Sequence, residues 1–140
     1  MATVYLALGS NLGDRREHLR RAVAALNAEG ILVRRLSTVI ETEPFDSPPQ
    51  GKYLNAVLKA ETRLSPENLQ QATHAIENSM GRVRKVFRGP RVIDIDILLY
   101  DDVKLTSRHL VIPHPRMLER DFVMGPLEEI APQLCASLKT

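Results

Sequence analysis

The chain has 140 residues, 44% hydrophobic and 26% charged, with a formal net charge of only +2. That balance excludes a disordered polar chain and an overall polycation, and the length suits one domain over residues 1–140. Cys135 is the single cysteine, so no intramolecular disulfide can form; no apolar run approaches a bilayer span and no opening segment resembles a secretory signal, so a cytoplasmic location is expected.

The spacing of apolar residues predicts a first strand over Thr3 to Gly9, with Val4, Leu6 and Leu8 on one face. The turn Gly9-Ser10-Asn11-Leu12-Gly13-Asp14 follows. It could present backbone amides to a phosphate, but it lacks the lysine and spacing of a P-loop, and a structural strand-to-helix turn is the plainer expectation. Asp14 and Glu17 resemble a capping box for a helix reaching about Ala28, with Leu19, Ala22, Val23 and Leu26 as its apolar stripe and Gly30 at its end. Residues 31–43 read as mostly extended. Residues 44–51 hold three prolines and a glycine around Phe45, which predicts a loop able to close over a ligand.

Tyr53 to Thr62 reads as another strand, with Tyr53, Asn55 and Val57 on the face opposite Leu54, Ala56 and Leu58. Ser65-Pro66 opens a second helix whose stripe is Leu69, Ala72, Ile76 and Met80, and Gly81 closes it. His74 and Glu77 share a helix face away from much of that stripe, so a solvated face is expected unless other ligands join them. The basic run Arg82, Arg84, Lys85, Arg88 and Arg91 comes next. Beyond the strand that follows it lie Arg108, His114, Arg116 and Arg120, and a short apolar helix from Gly125 to Ile130 stopped by Pro132.

The most informative stretch is that intervening strand, Val92 to Tyr100. Asp94 and Asp96 occupy alternate positions and share one face, about 7 Å apart at Cα, while Ile93, Ile95, Ile97 and Leu99 are expected on the other. Two neighbouring carboxylates repel each other unless cations neutralise them, which predicts oxygen ligands for one or two divalent metals. Beside a clustered cationic loop, such acids point to a polyphosphate ligand. The element order is β-α-β-β-α-β with extra short C-terminal elements. It predicts an α+β, ferredoxin-like fold: an antiparallel sheet with two helices on one face.

Gly89-Pro90-Arg91-x-x-Asp94-x-Asp96-Ile97-Leu98 resembles the signature of the 6-hydroxymethyl-7,8-dihydropterin pyrophosphokinase family. Leu8-Gly9-Ser10-Asn11-Leu12-Gly13, Tyr53-Leu54-Asn55-Ala56, Gly81-Arg82-Val83-Arg84, Pro113-His114 and Pro126-Leu127-x-Glu129-Ile130-Ala131-Pro132 extend the likeness over nearly the whole chain. The resemblance implies transfer of pyrophosphate from ATP to the pterin hydroxymethyl oxygen, with release of AMP, in folate biosynthesis. It implies that Asp94 and Asp96 hold two Mg²⁺, with Arg82 and Arg91 also catalytic. For ATP it implies His74, Glu77, Arg82, Arg84, Arg91, Ile97, Arg108, His114 and Arg120; for the pterin, Thr42, Pro44, Phe45, Tyr53, Asn55 and Phe122. Where the family often carries tryptophan before Gly-Pro, this chain has Phe87-Arg88 and no tryptophan at all. The expected partners are these two small molecules, with no nucleic acid and no membrane, and the protein is expected to be a monomer.

Two rival readings stay open at this stage. An RNA-binding ferredoxin-like module would need exposed aromatics on its central strands, where this chain has Asp94 and Asp96. Another Mg²⁺-dependent kinase would transfer only the γ-phosphate.

Overall fold

Alternating burial along the first strand organises the molecule. In the computed structural model, which describes residues 1–43, 51–81 and 92–139, strand β1 (Ala2–Ser10) buries Val4, Leu6 and Leu8 on one side. Tyr5 and Ala7 are half-buried on the other, so apolar cover is needed on both faces. Pro44, Phe45, Arg82, Arg84, Phe87, Arg88 and Arg91, with the two expected loops, lie outside the described residues.

Helix α1 (Arg15–Ala28) begins where the Asp14 side chain accepts a hydrogen bond from the Glu17 N–H, at 3.2 Å. Only half of the expected capping box forms, because the Glu17 carboxylate accepts from Arg20 instead. Leu19, Ala22 and Leu26 are buried, and the helix gives way to Gly30 at φ +79°. Over residues 31–43, two short strands appear in place of one extended run: β2 (Leu32–Leu36) and β3 (Ile40–Thr42). Both pair with β4 (Tyr53–Thr62). Ser37 holds the break between them, donating its N–H to the Val57 carbonyl at 2.9 Å while its Oγ accepts from the Val57 N–H at 2.9 Å.

Helix α2 (Pro66–Ser79) starts at Ser65, whose hydroxyl accepts from the Asn68 N–H at 3.2 Å. Strand β5 (Asp94–Tyr100) completes a sheet ordered β2-β4-β1-β5, with β3 also on β4 and every pairing antiparallel. Counting β2 and β3 as one interrupted strand, this is the expected ferredoxin-like order. Helices α1 and α2 cover one face, their Leu19, Leu26, Leu69 and Ile76 packing against Leu6, Leu58, Ile95 and Ile97.

The C-terminal elements do more than decorate the edge. A hairpin of β6 (Leu105–Thr106) and β7 (Val111–Ile112) sits beside β5 and adds Leu110 and Ile112 to the first core. Helices α3 (Asp121–Ile130) and α4 (Pro132–Leu138) then build a second core on the opposite face, where Val123, Met124 and Leu127 meet Val57 and Leu98. Arg35 donates to the Ile130 carbonyl at 2.9 Å, and the Glu129 carboxylate accepts from the Thr38 N–H and hydroxyl, at 3.0 to 3.1 Å. These bonds tie the end of α3 to the β2–β3 connection.

Two sequence-based expectations change here. Leu99 does not share a face with Ile97: a bulge shifts the β1–β5 register, so Leu99 pairs with Tyr5 and joins the second core. Pro132 does not end the helical structure either. It occupies the first turn of α4, where its missing N–H leaves no hydrogen bond unmade. Among the described residues no helix is long and apolar enough to cross a membrane.

Candidate functional site

Strand register assembles the site. Asn55 of β4 lies opposite Gly9 of β1, and Gly9 lies opposite Asp94 of β5. Directly paired residues project from the same face, so Asn55, Gly9 and Asp94 form one row across the sheet. Val57, Ala7 and Asp96 form the next. Neighbouring strands are about 4.8 Å apart, so roughly 10 Å separates the Asn55 and Asp94 backbones. Both rows lie on the face that carries α3.

At one end of the first row, Asn55 is 7% exposed and its Nδ2 donates to the Thr42 hydroxyl. Thr42 itself pairs with Tyr53, so three of the proposed pterin residues come together at the β3–β4 junction. Phe122, at the start of α3, packs against the second core on the same face, with the Arg120 guanidinium 5.7 Å from its ring centroid. At the other end of the row Asp94 is half-buried, and in the next row Asp96 is exposed.

A cavity of about 280 Å³ opens between α2, β5 and the segment leading to His114. His74, Asp96, Ile97, Arg108 and His114 all line it, together with Gln70 and Thr73. Five residues scattered over forty positions of sequence thus share one space that reaches an acid of the strand pair. Gln70 closes it on one side by donating to the His109 carbonyl at 2.8 Å.

Glu77 departs from the solvated face expected for its helix position. It is 2% exposed, and its Oε2 accepts the Ile95 N–H at 2.8 Å. The helix places it over the first residues of β5, where an N–H between the two aspartates would otherwise point at the helix without an acceptor. Glu77 therefore holds the peptide on which Asp94 and Asp96 are carried, while His74, one turn earlier, is exposed.

The donor set suits magnesium. Among the described residues no group of three or more His, Cys, Asp or Glu converges as a metal cage. A pair of strand carboxylates supplies hard oxygens for only part of an octahedral shell, and Mg²⁺ ordinarily completes such a shell with phosphate oxygens and water.

His114 is held below the ordinary histidine range, first by burial and then by the charges of Arg120 and Arg116. Its Nδ1 accepts the Arg116 N–H at 3.2 Å, which suits the neutral ring. The unfolded chain takes up this proton first as pH falls, so stability rises with pH through the window between the two values. Urea midpoints should therefore drop below the ordinary histidine pKa of about 6.5, and drop less in His114→Gln. Parallel pH profiles for the two proteins would contradict this. Burial, followed by the charge of Glu128, also raises the Cys135 thiol and leaves it a poor nucleophile.

Other contributions were not evident from sequence. The Gly9–Gly13 turn, which could have cradled phosphate, instead clasps the start of the segment leading into β4. Asn11 Nδ2 donates to the Gly51 carbonyl at 3.2 Å, and Arg15 donates to the Lys52 carbonyl at 2.8 Å while pairing with Glu41 at 2.8 Å. Asn11, Gln70 and Arg15 are ordinary polar residues in the sequence, and only their partners reveal what they hold.

Residues 5–132 match the family described as 7,8-dihydro-6-hydroxymethylpterin-pyrophosphokinase (HPPK). The 2-amino-4-hydroxy-6-hydroxymethyldihydropteridine pyrophosphokinase of Bacillus subtilis is 44% identical over 131 residues, covering 93% of this chain and 78% of that protein. Its Aquifex aeolicus counterpart is 44% identical over 134 residues, covering 96% and 83%. The folic acid synthesis protein fol1 of Schizosaccharomyces pombe is 46% identical over 131 residues, but the chain spans only 18% of its length. Among solved structures, HPPK-DHPS in complex with substrates superposes with a TM-score of 0.75 at 12% identity, over 94% of this chain and 40% of that one. At that identity the superposition speaks for the fold alone.

Proposed function

The chain belongs to the 7,8-dihydro-6-hydroxymethylpterin-pyrophosphokinase family, and from that premise we propose how its residues divide the transfer of pyrophosphate from ATP to the hydroxymethyl pterin. The products are the pterin diphosphate and AMP, and the reaction serves folate synthesis. One observation carries the assignment of roles. A buried amide suited to a flat heterocycle and a half-buried acid stand in one row, with a cavity of about 280 Å³ reaching the neighbouring acid.

On this reading the pterin lies against Asn55, Thr42 and Tyr53, with Phe122 as a stacking partner and Pro44 and Phe45 from the adjoining loop. The Asn55 amide offers both a donor and an acceptor to a ring edge, fixing its orientation. The nucleotide lies against His74, Glu77, Ile97, Arg108, His114 and Arg120, with Arg82, Arg84 and Arg91 around the phosphates. Two Mg²⁺ ions held by Asp94 and Asp96 would neutralise phosphate charge and polarise the reacting phosphorus. The hydroxymethyl oxygen bonds to the β-phosphorus as the bond from that phosphorus to the α–β bridging oxygen breaks, and AMP leaves with that oxygen. Cationic side chains aimed at the phosphates stabilise the charge that shifts towards AMP. No side chain is required as a strong base, because a loose transition state delays loss of the hydroxyl proton. The domain spans residues 1–140 and acts as a cytoplasmic monomer on two small molecules, without nucleic acid or membrane.

The deciding experiment identifies the nucleotide product. Incubation with ATP, Mg²⁺ and 6-hydroxymethyl-7,8-dihydropterin should yield AMP and no reaction when Mg²⁺ is chelated. ADP would indicate γ-phosphate transfer, and absence of turnover together with tight RNA binding would overturn the enzyme reading.

A further inference from the structure

Gly9 stands at the centre of the row, between the ring-reading amide and the first metal-holding acid. Its backbone needs no glycine, since its φ is not in the left-handed region that Gly13, Gly30 and Gly81 occupy. Space demands it instead. A Cβ at this position would meet Asn55 Oδ1 at 3.1 Å and the Tyr53 ring at 3.4 Å. Ordinary Cβ contacts are longer than the first of these, so the amide would have to yield by a few tenths of an ångström. It has little room to yield, because its Nδ2 is engaged by Thr42 and the residue is 7% exposed.

We infer that Gly9 is a positioning residue for the pterin: its bare backbone is the floor on which the Asn55 amide and the Tyr53 ring settle, in register with Asp94. The inference rests on the pterin reading above and deepens it. Asn55 orients a flat ring only if its amide plane is held, and the amide is held between Thr42 on one side and the Gly9 backbone on the other. A methyl group here tilts that plane while leaving the nucleotide cavity, on the far side of β5, untouched. The strand itself tolerates alanine, whose side chain occupies the same face two residues earlier at Ala7.

The test compares Gly9→Ala with Gly125→Ala. Gly125 is exposed on α3, and a Cβ there meets nothing within 4 Å. Gly9→Ala should raise KM and the dissociation constant for the dihydropterin by about 10-fold to 100-fold, as expected for sub-ångström misplacement of a positioning group. Affinity for a non-hydrolysable ATP analogue should stay at the wild-type value, and Gly125→Ala should match wild type for both ligands. In an Asn55→Ser background, where the amide is gone, adding Gly9→Ala should cost no further pterin affinity. If Gly9→Ala fails to fold, the double variant should fold, because the collision is removed; its failure would overturn the inference. Equal pterin affinity in Gly9→Ala and wild type would also overturn it. Absence of pterin binding by the wild type would instead remove the functional reading on which it rests.

Discussion

Asp96→Ala should lower turnover by about 10³-fold or more, with the fold unaltered. Asp96 is exposed on β5, so its removal takes no apolar contact from either core and should change stability by less than about 0.5 kcal/mol. The acid lines the cavity beside α2 and shares a strand face with Asp94, so on the proposed reading its loss removes one of the two carboxylates assigned to the magnesium ions. Steady-state rates at saturating Mg²⁺, with thermal unfolding as the control, check the expectation. Retained activity would remove Asp96 from the metal site, whereas lost activity with a lowered unfolding temperature would indicate a structural role instead.

Glu77 should show the second large effect, and its two variants separate structure from charge. Glu77→Ala leaves the Ile95 N–H facing the helix without its acceptor, which costs about 1–3 kcal/mol for a buried group. The same change frees the peptide between the two aspartates, so a displacement near 1 Å should lower kcat by about 10²-fold. Glu77→Gln keeps a carbonyl oxygen for that N–H and should restore most of the stability. If the carboxylate charge also serves the nucleotide, Glu77→Gln retains an altered KM for ATP at near-normal stability. Urea unfolding and ATP-dependent rates measured on both variants give the answer. Wild-type stability in Glu77→Ala would show that the bond to Ile95 carries no load.

Much of the site was legible in the chain because strand alternation is a local rule. Asp94 and Asp96 share a face, and so do Tyr53 and Asn55, for the same two-residue period. The period fails where an inserted residue breaks it. The bulge at the β1–β5 pairing turns Leu99 towards the second core, and no feature of its own sequence marks that shift. Helix periodicity likewise misjudged Glu77. A carboxylate on a helix face is ordinarily solvated, but here the neighbouring strand's Ile95 N–H draws it inward. Pro132 was a correct sign of a helix boundary but an incomplete one, because proline suits the first turn of a helix as well as the point after its end.

Local chemistry in the sequence was therefore enough to determine the N-caps of α1 and α2, the βαββαβ order of the core with β2 and β3 read as one strand, the paired acids and, through its motifs, the family. Each of these depends on residues within a few positions of one another or on motifs in a fixed order. Tertiary structure alone decided which strand faces meet. Asn55, Gly9 and Asp94 are separated by scores of residues, and they form one row only because antiparallel pairing sets β4, β1 and β5 in a particular register. Gly9 acquires its place from that register too: the space its missing side chain leaves is filled by residues from another strand, a relation that no single stretch of chain contains.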